Sequence, residues 1–235
     1  MQPKDYYTII ISVIALIVSI FSNFFQKAKE NQRSIRKNLS DTLESVTKIN
    51  FENSKLRKEG GSEEVEVVEM RRIYNSQRRI LVAHADFLIL KYDKIVTEID
   101  CNIMAGAYAN IGDAQKAEFY WKKTIDKSES GPIKHMNLRG YALFLFRQGK
   151  IEVGRSKYKE ALLIDLPDND PTRILTTDTY LMWAAAEKNT NNKSEETKLI
   201  NDAISTCSRI GNNNSRLQME KRIKHVTAKI ETEQV

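Results

Sequence analysis

The chain has 235 residues, 41% of them hydrophobic, which suffices for the core of one ordinary domain with appendages. Only nine Gly and four Pro occur, which favours long helices with short connections over a sheet protein. The net charge of +6 comes mostly from residues 26–40, where five cations face the single Glu30: Lys27, Lys29, Arg33, Arg36 and Lys37. Because the positive charge is not spread over a domain, the composition argues against nucleic-acid binding.

Tyr6 to Phe25 is a run of twenty residues without a charge. As a helix it would span roughly 30 Å, the hydrocarbon thickness of a bilayer. A cleaved signal peptide would have a shorter apolar core, a more basic start and small residues at a cleavage site. We therefore predict a single-pass membrane anchor over residues 1–26. Five cations follow the run and one precedes it, which predicts a cytoplasmic location for the rest of the chain.

Residues 27–61 are polar apart from a thin stripe with alternating three- and four-residue spacing: Ile35, Leu39, Thr42, Val46, Ile49, Asn53 and Leu56. Such spacing is typical of a short coiled coil, and an Asn in the seam can fix the register of a homodimer. The alternative is a solvated stalk helix. Gly60 and Gly61 end this basic juxtamembrane stalk, and Ser62 with two glutamates favours a new helix start.

The last predicted segment, residues 62–235, is organised around the stretch from Ala105 to Ile125. Gly112 suits the left-handed residue that ends a helix, and Asp113 suits the cap of the next helix. Small residues at Ala105 and Ala117 allow the two helices to cross closely. The stretch therefore predicts a helical hairpin.

This pattern resembles the tetratricopeptide repeat, whose unit has 34 residues. The resemblance covers four segments: 98–131 and 135–168 well, 177–210 moderately and 64–97 weakly. In the weak unit Met70, Tyr74, Ala83 and Phe87 occupy the register, but a continuous helix remains the alternative. The predicted fold is thus all-α, a solenoid of three to four hairpins. A final helix with Ser215 and Gln218 as a capping box and a stripe from Leu217 to Ile230 closes it.

The resemblance implies that a partner protein or peptide binds in the concave groove formed by the first helix of each repeat. The groove offsets give these candidate residues: Asn102, Asn110, Met136, Arg139, Leu143, Phe146, Arg147 and Lys188. Arg139, Phe146 and Arg147 would share one helix face. Repeats that clamp the carboxylate of chaperone tails have a Lys and an Asn where this chain has Asn102 and Gly106. A chaperone-tail adaptor is therefore not expected.

The sequence contains no motif of a catalytic, nucleotide or metal site, so no enzyme activity, cofactor or metal is expected. His135 and His225 are expected at the surface, and Cys101 and Cys207 as buried small hydrophobes. The predicted function is that of a membrane-anchored adaptor for a partner protein. The alternatives are a self-associating structural protein and an extracytoplasmic assembly factor with the reverse topology.

Overall fold

The computed structural model describes the backbone of residues 3–59, 65–190 and 192–232. Side chains are described for residues 18–19, 21–56, 66–190 and 192–228. All regular structure in these residues is helical, so the predicted all-α class is confirmed for them. The chain divides into two compact units, Met1–Val96 and Thr97–Val235. This division falls after Val96, whereas the sequence places the last segment boundary at residue 62.

The first unit is a pair of long helices, α1 (Pro3–Glu59) and α2 (Val65–Lys91), followed by a short 3₁₀ helix at Asp93–Ile95. The two long helices pack together, and their buried apolar side chains include Leu39, Leu43, Val46, Val82, Ala85 and Ile89. Asn53 Nδ2 donates to Asn75 Oδ1 across this contact at 3.4 Å. The predicted seam is therefore buried within one chain, and the expectation of a solvated stalk is wrong for this part of α1.

The weak repeat predicted for residues 64–97 is not a hairpin, because α2 is continuous through Asn75 to Gln77. Met70, Ala83 and Phe87 are exposed there, whereas Met104 and Ala117 of the main repeat are buried. No glycine or capping residue interrupts the helix, and the Asn75 side chain instead accepts a bond from Arg78 Nη2 at 3.0 Å. The residue types at 34-residue spacing match those of the main repeat, but they do not pack as a helical hairpin here.

Over the residues whose side chains are described, no helix has an apolar stretch long enough to cross a membrane. Of the predicted anchor, Tyr6 to Phe25, the side chains of residues 6–17 and 20 lie outside the described set.

In the described residues of the second unit there are seven consecutive helices: α3 (Glu98–Ile111), α4 (Ala114–Asp126), α5 (Gly131–Arg147), α6 (Ile151–Leu162), α7 (Asp170–Lys188), α8 (Lys193–Ser208) and α9 (Asn213–Thr232). The first six form three hairpins, in which α3 packs on α4, α5 on α6 and α7 on α8. Neighbouring hairpins meet because α5 contacts both α4 and α7, and α7 also contacts α6. The last helix, α9, packs on α7 and α8.

The turn within the first hairpin follows the sequence prediction, and a glycine also stands in the turn of the second hairpin. Gly112 has φ 91° and Gly149 has φ 73°, a conformation that other residues rarely adopt. Asp113 Oδ1 accepts from the backbone N–H of Lys116 at 3.0 Å and so caps α4. Ala105 and Ala117 are fully buried, as expected for helices that cross closely.

The start of α9 differs from the prediction. Asn212, rather than Ser215, is the cap, since its Oδ1 accepts the N–H of Ser215 at 2.9 Å. Leu217 is exposed, and Met219 is buried with Ile223 in the cluster that α9 forms with α7 and α8. The helix therefore begins earlier than predicted, and of the predicted stripe Ile223 and Val226 lie in this cluster whereas Leu217 does not.

Candidate binding groove

The second unit contains a cavity of about 770 Å³ where the C-terminal ends of α5 and α7 meet α9. Its lining comes from α5, α6, α7, the turn after α7, and α9: Leu143, Phe146, Arg147, Ile151, Met182, Ala185, Ala186, Lys188, Asn189, Thr190, His225 and Val226. This volume is in the range of pockets that hold small molecules or a few residues of a peptide.

The apolar wall of the cavity is fixed by packing between α5 and α6. The Phe146 ring meets Tyr158 edge-on with centroids 5.8 Å apart, and Tyr158 stacks on Trp183 at 5.3 Å. Gly154 allows this arrangement, because a Cβ there would lie 2.5 Å from Phe146 Cδ2. Phe146 is therefore a buried part of the wall and not a surface anchor.

The end of α7 is held by the buried carboxylate of Glu187. Arg155 on α6 donates Nε to Oε1 at 2.7 Å and Nη2 to Oε2 at 2.6 Å, and Trp183 Nε1 donates to Oε1 at 2.9 Å. Thr190 Oγ1, in the cavity lining, lies 2.9 Å from Oε2. Burial raises the pKa of Glu187, but these hydrogen bonds outweigh burial and leave the pKa below its usual value.

The rim of the cavity is basic. Arg147, Lys188 and His225 are the titratable side chains in its lining, and no Asp or Glu lines it among the described residues. Arg147 and His225 are exposed and Lys188 is half-buried. An apolar wall below a cationic rim suits a ligand that combines apolar groups with carboxylates, which Arg binds in a bidentate manner.

The structure brings four of the eight predicted groove residues together in this cavity: Leu143, Phe146, Arg147 and Lys188. Ala185 and Asn189, on either side of Lys188, also line it. The contributions of Ile151, Met182, His225 and Val226 were not predicted. For Val226 there was a signal, since it lies on the apolar stripe of the last helix.

The other four predicted residues lie outside the cavity. Asn102 Nδ2 donates to Asn137 Oδ1 at 3.0 Å and links α3 to α5. Asn110 and Met136 are exposed. Arg139 is half-buried, and burial lowers the pKa of its guanidinium while the nearby Asp178 opposes the shift. The predicted surface face of Arg139, Phe146 and Arg147 is thus wrong, because two of the three are within the packed layer.

His135 is buried, which contradicts its predicted place at the surface. Its Nε2 lies 2.7 Å from Thr179 Oγ1 on α7. Burial and the charge of Arg139 lower the pKa of His135 to about 4, although a hydrogen bond to the Ala161 carbonyl opposes this. His225 is exposed as predicted.

The remaining candidates for chemistry lie apart. Cys101 and Cys207 are buried, as predicted, and are not joined in a disulfide. Within the described part of the chain, no three His, Cys, Asp or Glu side chains converge in a way that could hold a metal ion. No protein-family model, no curated protein and no solved structure matches this chain.

Proposed function

We propose that the chain is a membrane-anchored interaction scaffold that binds an extended segment of a partner protein in the cavity between α5, α7 and α9. The observation that carries this proposal is the combination of an apolar wall with the basic rim of Arg147, Lys188 and His225. The segment that fits best has acidic residues next to apolar ones. The cavity offers pockets for side chains, while the rim pairs with carboxylates.

The order of helix contacts supports a tetratricopeptide-type array in the second unit. Each first helix packs on its own second helix and on the second helix before it, as α5 packs on α6 and α4. The first helices α5 and α7 also contact each other, and α9 contacts α7 and α8 as a further first helix would. In such an array α9 closes the exposed end of the core.

Membrane anchoring through Tyr6 to Phe25 remains part of the proposal. It is supported by the uncharged length of this run and by the exposure of Phe21, Phe24 and Phe25 on α1. Orientation is testable with the exposed Ser205 on α8 as Ser205→Cys, since both native cysteines are buried. A maleimide that cannot cross membranes should label this variant in inside-out vesicles only. Labelling in right-side-out vesicles would favour the reverse topology.

The test of binding is a double charge reversal at the rim, Arg147→Glu with Lys188→Glu. In full-length protein purified from native membranes, the variant should lose the partner that wild type retains. The matched control is Lys159→Glu with Lys198→Glu, two exposed cations on the second helices α6 and α8. Equal retention of the partner by all three proteins would exclude the cavity as the binding surface.

Self-association is the second candidate function, and one observation on α2 favours it. Ile73, Ile80 and Phe87 recur at seven-residue spacing on this helix. Ala83 and Leu90 follow Ile80 and Phe87 by three residues, and all five are exposed. This is the pattern of a coiled-coil seam, placed on α2 and not on the predicted stalk. Ile80→Glu with Phe87→Glu should convert a detergent-solubilised dimer to a monomer by light scattering. A monomeric wild type would remove this candidate.

A further inference from the structure

The first unit has a cavity of about 610 Å³ where the segment of α1 after the apolar run meets the 3₁₀ helix. Five cations line it: Lys29, Arg33, Arg36, Lys37 and Lys94. Asp41 is the one acidic side chain among the described residues of its lining. This excess of positive charge distinguishes the cavity from the one between α5, α7 and α9, whose wall is mainly apolar.

The arrangement depends on the fold and not on sequence alone. Lys29, Arg33, Arg36 and Lys37 share one face of α1 because they are four, seven and eight residues apart. Lys94 comes from Asp93–Ile95, after α2 has returned along α1. Four of the five cations are exposed and Arg36 is half-buried, so their charges reach solvent inside one concave surface.

The position of the cavity indicates which kind of anion it would meet. Lys29 follows the last residue of the apolar run, Phe25, by four residues, which is about 6 Å along a helix, and Arg33 follows by about 12 Å. The polar headgroup layer extends about 5–8 Å beyond the hydrocarbon core, so Lys29 lies within this layer and Arg33 lies just beyond it. Membrane helices are tilted by about 20° on average, which turns one helix face toward the headgroups. Phosphate oxygens are the groups that Arg binds in bidentate geometry.

We propose that this cavity binds the headgroup phosphate of an anionic phospholipid at the membrane surface. The proposal rests on the membrane anchor of the proposed function and is independent of the cavity between α5, α7 and α9. It adds a second, lipid-selective attachment beside the apolar one. Polybasic segments next to a membrane span gain affinity for anionic lipid with each cation.

The test uses the full chain in detergent, titrated with dioctanoyl phosphatidylglycerol, dioctanoyl phosphatidylcholine or inorganic phosphate, with bound adducts counted by native mass spectrometry. The variant is Arg33→Glu with Lys37→Glu and Lys94→Glu. The control is Lys48→Glu with Arg72→Glu and Arg79→Glu, which makes the same change of charge at exposed positions on α1 and α2. Wild type and control should prefer phosphatidylglycerol, and the variant should bind it about tenfold more weakly or worse.

Three results would overturn the proposal: no preference of wild type for phosphatidylglycerol, an equal loss in variant and control, or inorganic phosphate binding as well as the lipid. Failure of the anchor gives a different result. Insertion into phosphatidylcholine vesicles that resists alkaline extraction depends on the apolar run, and variant and control should both retain it. If wild type does not insert, the anchor is contradicted. If wild type inserts but shows no lipid preference, only the headgroup site is contradicted.

Discussion

The guanidinium of Arg155 on α6 binds both carboxylate oxygens of Glu187 on α7, with donor to acceptor distances of 2.7 and 2.6 Å. The Glu187 side chain is fully buried, whereas that of Arg155 is 21% exposed. This pair joins the second and third hairpins of the second unit. It also fixes the end of α7, where Lys188 and Asn189 enter the cavity lining.

Arg155→Met should destabilise the second unit by about 3–5 kcal/mol, because it leaves the Glu187 carboxylate buried without its charge partner. Both tryptophans of the chain, Trp121 and Trp183, lie in this unit, so tryptophan fluorescence during denaturant unfolding reports on it. Lys157→Met is the control, since Lys157 pairs with Glu160 at the surface, and it should change stability by less than about 1 kcal/mol. Similar losses in both variants would contradict the structural role of the pair.

His135 should make the second unit less stable in mild acid. Because its pKa is about 4 in the folded chain and 6.5 is its ordinary value, the unfolded chain binds the extra proton first. The free energy of unfolding should therefore have its full value above pH 6.5 and fall as the pH drops toward 4, by about 2 kcal/mol at pH 5. His135→Gln should flatten this part of the pH profile, and the exposed His84→Gln should not. A wild-type profile that is flat from pH 7 to 5 would contradict the burial of a neutral imidazole.

Two glycines near the first turn should respond to alanine in opposite directions. Gly112 has φ 91°, so Gly112→Ala should cost about 1 kcal/mol or more despite the open space around it. Gly106 lies within α3 and also has no atom within 4 Å of an added Cβ, so Gly106→Ala should stabilise by about 0.5–1 kcal/mol. Thermal unfolding of both variants tests this, and a shift of the same sign in both would contradict the turn geometry.

The hairpin at Gly112 and Asp113 was predictable because its determinants are local. A left-handed glycine and a capping aspartate act within one turn of the helix, and the small residues at Ala105 and Ala117 mark the crossing. The repeat predicted at residues 64–97 failed because apolar residues at matching offsets also suit one continuous helix with two stripes. Residue types alone do not separate these two cases when no glycine or cap marks the turn.

The buried polar residues were beyond sequence reasoning for a different reason. His135 meets a Thr179 that is 44 residues away, and Glu187 meets an Arg155 that is 32 residues away. A charged or titratable side chain is usually exposed unless a partner is present, and the partner becomes visible only when the helices are assembled. The same holds for Val226 and His225, whose contribution to the cavity depends on where α9 packs.

Deletion of residues 1–26 should move the protein from the membrane fraction to the soluble fraction after a salt wash. The wash is needed because the five cations of residues 26–40 are attracted to anionic lipid. Fractionation with an immunoblot, with and without salt, measures both contributions. Retention of the truncated chain at high salt would show that the apolar run is not its main attachment.

Site-specific photo-crosslinking at Ala185 tests the binding groove most directly. Ala185 is exposed and lies in the cavity lining, whereas Ser205 on α8 is exposed outside it and serves as the control position. We expect a discrete protein adduct from Ala185 and none from Ser205, and we expect the adduct to disappear when Arg147→Glu and Lys188→Glu are added. No adduct at Ala185, or an adduct that persists with both rim charges reversed, would contradict the account.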